Sequence, residues 1–425
     1  MKRMLMVAVA TITLLGMPLL TPADNWPQWR GPTGAGASAE KDVPTTWAAD
    51  KNVAWKLPLP GMGGSTPIVW ADRIFLTSEE KADLVLLCIS TAGKELWKRK
   101  IGTGTGRKVR EDEGNGASAT PSTDGQHVWA MVGTGELACF DFDGNEVWKF
   151  NTQDRYGRFR IQFGMHSTPV LDGDRLYLQL IHSGGAFVVA LDKLTGKEIW
   201  QIKRPSDCEA ECEHSYASPC VFRNGNQAFL VVHGNDYATG HSLDDGKELW
   251  RVGDLNPKDR YNRTLRFVAS PAASSDLIVV PSAKNGPVVG VKPSASGQFG
   301  VGSPHEQWRL TRDTPDVPSP LIHDGLVYLC NERGTLLCVD AKTGELYYKE
   351  RIAPGRYRAS PVYANGRVYC TCRDGTVTVV EFGRRFKVLE TNNLPDQIAA
   401  SPAIANGRIY LRGFDSLWAV ATGGN

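Results

Sequence analysis

Residues 358–369 read RASPVYANGRVY, and residues 399–410, which begin 41 positions later, read AASPAIANGRIY. Both stretches place a small residue before a proline, and then a short apolar run, an Asn-Gly pair and an alternating strand pattern. Asn-Gly pairs suit the positive φ angles of tight hairpins, so each stretch predicts two strands joined by a turn. A near-repeat of this length indicates that the chain contains copies of one structural unit.

The proline signature occurs eight times along the chain. Each proline follows Ser or Thr, and the spacings are 54, 48, 50, 52, 49, 41 and 41 residues. The prolines are Pro67, Pro121, Pro169, Pro219, Pro271, Pro320, Pro361 and Pro402. Each unit continues through further strands to an ending such as ALDKLTGKEIW, which closes at Trp200. Four short strands per unit predict an all-β fold, an eight-bladed β-propeller of four-stranded antiparallel blades.

The proline and the tryptophan of each unit have physical roles in such a blade. Proline lacks an N–H donor and belongs at a strand start or a sheet edge, as on the innermost strand beside the central channel. A large aromatic side chain on the outer strand can fill the wedge between two blades. We therefore interpret Trp97, Trp148, Trp200 and Trp250 as packing residues, not as ligand-binding residues.

The last unit has three strands after Pro402, and its fourth strand is missing. Residues 51–56 (KNVAWK) resemble the missing outer strand, so we expect the N-terminal strand to complete the eighth blade. Closure of this kind removes an open sheet edge. Residues 51–425 are thus predicted to form the propeller, preceded by an extended, Pro/Gly-rich segment over residues 24–50. Trp26 and Trp29 of that segment are expected to dock on the propeller, although a partner-binding arm is an alternative.

Residues 1–23 predict a secretory signal peptide, because Lys2 and Arg3 precede an apolar run that ends at the small residue Ala23. An uncleaved membrane anchor is the alternative interpretation. A periplasmic or secreted location is therefore expected, and no later segment has the ~20 apolar residues of a membrane span. Loss of Lys2 and Arg3 would lower the formal net charge from +2 to zero, which argues against nucleic-acid binding.

The chain contains nine cysteines. In an exported protein this number suggests disulfides, and Cys208 and Cys212 in the polar stretch DCEAEC are the candidate pair. The spacings of Cys208/Cys212 and Cys370/Cys372 do not match a zinc motif, so no metal site is predicted. The remaining cysteines that fall at apolar strand positions, Cys88, Cys139, Cys330 and Cys338, are expected to be buried thiols.

The ALDKLTGKEIW pattern, the eight Ser/Thr-Pro starts and the N-terminal NWPQWRGP together resemble the pyrroloquinoline-quinone-like (PQQ-like) β-propeller repeat family, from about residue 25 to residue 420. The resemblance implies one of two roles. Some members are quinoprotein dehydrogenases that bind PQQ with calcium, often beside a disulfide between adjacent cysteines. Others are non-enzymatic scaffolds of outer-membrane assembly. The chain has no adjacent cysteine pair and no CxxCH haem motif, and its size is closer to the scaffold members.

The segments just before the prolines are long and charged, and they should meet at one rim of the channel. We expect that rim to carry Arg110, Arg160, Arg266 and Arg358, with His166 and His214 at equivalent places on neighbouring blades. Three interpretations stay open: a solvated rim of ion pairs, a funnel that binds an anionic ligand or an acidic protein segment, and a catalytic pocket with a histidine base. Adjacent serines alone do not establish a catalytic dyad.

The sequence therefore favours an exported, non-enzymatic propeller that binds an envelope protein or peptide. It is expected to be monomeric, to need no cofactor and to have no catalytic residues. The alternative is a PQQ-dependent or related oxidoreductase, with PQQ and calcium in the charged funnel.

Overall fold

The computed structural model describes residues 25–105 and 114–424 of the chain. The predicted signal peptide (residues 1–23) and Arg110 lie outside the described residues. The described chain folds into eight antiparallel sheets, which confirms the predicted eight-bladed all-β propeller. The first strand, β1 (Val53–Pro58), belongs to the last blade.

Blades 1 to 4 follow one another along the chain. Blade 1 contains β2 (Ile68–Trp70), β3 (Arg73–Glu80), β4 (Asp83–Ser90) and β5 (Glu95–Thr103). Blade 2 contains β6 (Ser122–Thr123), β7 (His127–Met131), β8 (Glu136–Asp141) and β9 (Glu146–Asn151), and the short helix α1 (Thr152–Tyr156) follows it. Blade 3 contains β10 (Val170–Asp172), β11 (Arg175–His182), β12 (Gly185–Asp192) and β13 (Glu198–Lys203). Blade 4 contains β14 (Cys220–Arg223), β15 (Ala228–Gly234), β16 (Tyr237–Ser242) and β17 (Glu248–Val252).

Blades 5 to 8 complete the ring. Blade 5 contains β18 (Ala272–Ser274), β19 (Leu277–Val280), β20 (Val288–Val291) and β22 (Glu306–Leu310), whereas β21 (Gly297–Phe299) joins blade 4. Blade 6 contains β23 (Leu321–His323), β24 (Leu326–Cys330), β25 (Thr335–Asp340) and β26 (Leu346–Arg351). Blade 7 contains β27 (Val362–Ala364), β28 (Arg367–Thr371), β29 (Thr376–Glu381) and β30 (Val388–Asn393). Blade 8 contains β31 (Ala403–Ala405), β32 (Arg408–Arg412) and β33 (Ser416–Ala421), and 3₁₀ turns cover Ala210–Glu213 and Lys258–Arg260.

The closure of the ring agrees with the expectation from sequence. Strand β1 pairs antiparallel with β33, and Lys56 lies opposite Trp418. The Lys56 ammonium lies 4.4 Å from the centre of the Trp418 ring. Segments from the two ends of the described chain therefore share one sheet, which leaves no open blade edge between blades 8 and 1.

Blade 4 differs from the prediction because it has five strands. Strand β21, from the long connection between β20 and β22, pairs in parallel with β17. The Phe299 ring lies 6.3 Å from the Trp250 ring. The connection from blade 5 thus covers the outer tryptophan of blade 4.

A belt of hydrogen bonds explains why Ser or Thr precedes each proline. The backbone N–H of this residue donates to the side-chain hydroxyl of its equivalent in the next blade. Seven such bonds, of 2.8 to 3.1 Å, link Thr66, Thr120, Thr168, Ser218, Ser270, Ser319, Ser360 and Ser401 in order. All eight residues are buried. Because a buried N–H without a partner costs roughly 1–3 kcal/mol, the hydroxyl is needed at each strand start.

Five outer-strand tryptophans link their blade to the next one, whereas the buried indole N–H of Trp250 has no hydrogen-bond partner among the described residues. Their indole N–H groups donate to backbone carbonyls in the following blade, at 2.8 to 3.0 Å: Trp55 to Thr91, Trp97 to Phe142, Trp148 to Lys193, Trp200 to Leu243 and Trp308 to Ala341. A glycine of the Thr-Gly-Lys type turn packs against each ring. A Cβ at Gly196, for example, would lie 2.8 Å from Trp148 Cδ2.

We expect Gly196→Ala to destabilise the protein more than Gly173→Ala. Both glycines have positive φ angles, +64° and +57°, but a Cβ at Gly173 would have no neighbour within 4 Å. The control Gly173→Ala should therefore cost only the roughly 1–2 kcal/mol of a left-handed conformation. Gly196→Ala should add about 1–3 kcal/mol of overpacking against the tryptophan. Urea unfolding measures both, and equal losses would contradict a role for the Trp–Gly contact.

Residues 25–50, which we call the strap, cross one mouth of the channel. This mouth lies on the turn face, formed by the turns between the first two strands of each blade. The backbone of Trp26 exchanges two hydrogen bonds of 2.8 Å with Val69, and Gly36 O accepts from Tyr363 N at 2.9 Å. Trp26 and Trp47 are both buried. The strap then passes blade 7, where Trp47 N donates to Asn392 Oδ1 (2.7 Å), and continues into β1.

Candidate functional site at the loop face

The loop face, opposite the strap, is formed by the segments that precede each inner strand. Arg160 and His166 precede β10, and His214 precedes β14. Arg266 precedes β18, and Arg358 precedes β27. Five of the six predicted site residues therefore lie on connections to this one face, and the sixth, Arg110, lies outside the described residues.

Two aromatic rings join the predicted residues of blades 3 to 5. The Tyr216 ring lies 5.9 Å from Phe163 and 5.7 Å from His166. The Arg266 guanidinium lies 4.9 Å from the Phe163 ring centre, and its Nη1 is 3.1 Å from Glu211 Oε2. Phe163 and Tyr216 thus form an aromatic platform under a cation. Both rings lie in segments that precede an inner-strand proline, although neither was among the predicted site residues.

Asp316 connects this platform to Arg358. Burial raises the pKa of Asp316, and the charges of Arg266 and Arg358 oppose that rise. Glu332 Oε1 accepts from the backbone N–H groups of Asp316 and Val317 at 2.5 and 2.7 Å. Burial also raises the pKa of Glu332. The arc formed by His166, Phe163, Tyr216, Arg266, Asp316 and Arg358 therefore contains one carboxyl group, that of Asp316, whose pKa is raised by burial although two arginines oppose the rise.

The histidines of this face are held neutral by burial. Burial lowers the pKa of His166 to about 4, and it also lowers the pKa of His214. His166 Nε2 and His214 Nδ1 are buried and make no hydrogen bond to any described residue. The hydrogen-bonding capacity of these two imidazole nitrogens is therefore unused within the described chain.

The serines near these histidines are committed to the backbone. Ser183 Oγ lies 3.4 Å from His214 Nε2, but it donates its proton to Arg160 O at 2.7 Å. Ser215 Oγ donates to His233 O at 2.7 Å. Neither hydroxyl is therefore oriented with its proton toward a histidine base, as a serine nucleophile would need.

The predicted disulfide between Cys208 and Cys212 is not formed in the structure, where all nine cysteines are free thiols. The 3₁₀ turn Ala210–Glu213 places Cys212 in the core between blades 4 and 5, beside Phe222 and Phe267. Cys212 Sγ donates to Asn262 O at 3.2 Å. Cys208 stays half-buried at the edge of that core. Cys88, Cys139, Cys330 and Cys338 are buried, as expected.

The described residues contain no group of three or more His, Cys, Asp and Glu side chains placed to hold a metal ion. No helix within residues 25–105 and 114–424 has the length and apolar character needed to cross a bilayer.

A comparison with protein families identifies the repeat. The family model described as outer membrane protein assembly factor BamB matches residues 133–299 and 298–385, which is more than half of the chain. The chain belongs to this PQQ-like β-propeller family. The family resemblance inferred from the sequence is therefore confirmed. A separate comparison with curated proteins found no match to the chain.

Solved structures of PQQ-like propellers have the same fold. BamB from Moraxella catarrhalis is 11% identical with a TM-score of 0.61, and the match covers 86% of this chain and 99% of that one. Quinohemoprotein alcohol dehydrogenase from Comamonas testosteroni is 13% identical with a TM-score of 0.72, covering 95% and 81%. A europium-containing methanol dehydrogenase is 12% identical with a TM-score of 0.67, covering 93% and 91%. At these identities the similarity shows the fold alone.

Proposed function

We propose that this protein is a non-enzymatic scaffold of the cell envelope that binds an extended, acidic segment of a partner protein at its loop face. The observation that supports the proposal is the arc of arginines, neutral histidines and aromatic rings at that face. The match to an assembly-factor family and the predicted signal peptide support the envelope location. The strap covers the opposite mouth of the channel, so the loop face is the side left for a large partner.

The chemistry of the arc suits a peptide with carboxylate side chains. Guanidinium groups bind carboxylates with two parallel hydrogen bonds, and Arg266 is held in place by its contact with Phe163. The exposed Arg160 extends the positive surface outward. The Phe163 and Tyr216 rings, which lie 5.9 Å apart, can contact the apolar groups of such a peptide.

We assign no residues to PQQ and calcium. The described residues contain no set of three acidic, His or Cys side chains that could hold the cation, and the sequence has no adjacent cysteine pair. We therefore derive no reaction through a quinone. The oxidoreductase alternative rests on the fold shared with the dehydrogenases, and the experiment below tests it.

We expect the triple variant Arg160→Ala, Arg266→Ala and Arg358→Ala to lose partner binding. Removal of interface arginines commonly costs 2 kcal/mol or more for each important residue, so the affinity should fall about 100-fold or more. A photo-crosslinkable phenylalanine analogue at Phe163 should capture an envelope protein in intact cells, and the triple variant should not capture it. The variant should still fold, although its melting temperature should fall, because Arg266 loses its ion pair with Glu211 and buried Asp316 loses the opposing charges of Arg266 and Arg358.

The matched control places the same analogue at the exposed Leu194, on a turn between outer strands of blade 3. Equal capture at Leu194, or capture that the triple variant leaves unchanged, would rule out the loop face as the binding surface. Titration of the purified protein with PQQ and calcium, followed by absorption, completes the test. A saturable one-to-one quinone complex would favour the oxidoreductase alternative.

A further inference from the structure

A second site is suggested by a cavity at the turn face, away from the loop-face arc. It lies between the strap and blades 3 to 6 and has a volume of about 1250 Å³. Its walls include apolar side chains from the strap and from the inner strands: Trp29, Val170, Leu171, Val221 and Ile322. This volume is sufficient for a small organic ligand.

Arg30 of the strap lines this cavity and is almost completely buried, with 3% of its surface exposed. Its Nη1 donates to Pro361 O at 2.8 Å, and its Nη2 donates to Pro320 O at 2.7 Å and to Ala35 O at 3.3 Å. Its Nε has no hydrogen-bond partner among the described residues. Three neutral carbonyl groups therefore accept from the two terminal nitrogens of the guanidinium, and Nε is the nitrogen without a partner.

A buried charge without an opposite charge is costly, by several kcal/mol even after the protein relaxes. Buried charges in proteins are accordingly paired in most cases. Burial alone lowers the pKa of Arg30 to about 9, and no carboxylate of the described chain opposes this shift. The Arg30 guanidinium remains protonated at neutral pH, so its charge needs compensation from outside the described chain.

The other buried arginines of the described chain differ from Arg30 in this respect. All three side-chain nitrogens of Arg204 are bonded, at 2.8 to 2.9 Å, and Glu248 supplies a nearby negative charge. Arg412 has both Glu79 and Asp396 nearby. Arg30 combines a missing counter-charge, an unused N–H and a position on the wall of a large cavity.

We propose that the cavity beneath the strap binds an organic monocarboxylate with an apolar body, and that Arg30 provides the counter-charge. One buried positive charge matches one carboxylate, and the apolar walls match the rest of the ligand. The other charged lining residues nearly balance one another, which disfavours ligands with several negative charges: Asp172, Asp276, Asp324 and Asp340 against Arg223, Lys342 and Arg384. The bound carboxylate would lie beside the Arg30 guanidinium, with its apolar part against Val221 and Ile322.

The test uses the chain from residue 24 onward and sodium octanoate as the probe. Octanoate should bind saturably in calorimetry and raise the melting temperature. Octanamide has the same apolar body without the charge and should bind at least about tenfold more weakly. Inorganic phosphate should not compete with octanoate.

Two variants test whether octanoate binds in the cavity beneath the strap or elsewhere on the protein. Arg30→Met should abolish octanoate binding while the melting temperature of the free protein stays the same or rises, because a buried unpaired charge is removed. Ala273→Trp should fill the cavity from blade 5 and block octanoate binding while Arg30 is unchanged. This variant provides the test if Arg30→Met does not fold. The proposal is overturned if the unmodified protein does not bind octanoate, if it binds octanamide equally well, or if phosphate displaces octanoate.

Discussion

A chain that lacks residues 24–60 is expected not to fold into a propeller. The deletion removes β1, the fourth strand of blade 8, and it exposes the edge of β33. It also removes Trp55, whose indole N–H bonds Thr91 O of blade 1 at 2.9 Å, and the buried Trp26 and Trp47 of the strap. Near-ultraviolet circular dichroism should lose its fine structure, and heating should give no cooperative transition.

A shorter deletion, of residues 24–40, provides the matched control. It removes the part of the strap that crosses the channel but keeps Trp47 and β1. This chain should still melt cooperatively, at a lower temperature, because blade 8 stays complete. An unchanged melting temperature for the 24–60 deletion would show that β1 does not hold the ring closed.

Arg412→Met is expected to cost about 3–5 kcal/mol of unfolding free energy at neutral pH, since it breaks a buried ionic cluster. Arg412 is completely buried between blades 8 and 1. Its Nη1 donates to Ser65 Oγ at 2.9 Å, and Glu79 and Asp396 are the nearby acidic groups. Asp396 accepts hydrogen bonds from Phe414 N, Asp415 N, Ser416 N and Trp418 Nε1, which compensate its charge after the substitution.

The loss caused by Arg412→Met should depend on pH through Glu79. Burial raises the pKa of Glu79, and the charge of Arg412 partly opposes this. Without Arg412 the pKa rises further. A group whose pKa is higher in the folded state binds more protons when folded, so stability falls as the pH rises between the unfolded and folded pKa values. The destabilisation should therefore be greater at about pH 8 than at about pH 5.

The double variant Arg412→Met, Glu79→Gln tests the cause. Removal of the unpaired carboxylate should recover part of the lost stability and abolish the difference between the two pH values. Urea unfolding at both pH values gives the required free energies. Additive losses and a pH-independent single variant would refute the coupling between Glu79 and Arg412.

Local patterns in the sequence were sufficient to predict the fold. Pro361 and Pro402 mark inner strands, Asn365-Gly366 marks a hairpin, and Trp200 marks an outer strand that packs on the next blade. Each of these signals depends on backbone geometry or on side-chain size within one repeat. The closure by residues 51–56 was also predictable, because the last repeat lacks the outer strand that the other repeats contain.

Features that depend on contacts between distant repeats were not predictable in the same way. Arg30 bonds carbonyls that are 290 and 331 residues away, and nothing near it in the sequence indicates that it is buried. The rim arginines were predicted to share one face, but the rings that support Arg266 come from two other blades. The expected Cys208–Cys212 disulfide fails because a 3₁₀ turn directs Cys212 into the core, which a spacing of four residues does not reveal.

The shared eighth blade also sets an order of events during synthesis. Val53 is made 367 residues before its partner Val420. Seven blades can each assemble from neighbouring segments as they appear, whereas the closing sheet must wait until β33 has been made. Contacts between such distant segments form slowly, because the ends of a long loop must first be brought together. The newly made protein therefore passes through an open, incomplete ring with an unpaired strand, and it needs protection from aggregation until β33 pairs with β1.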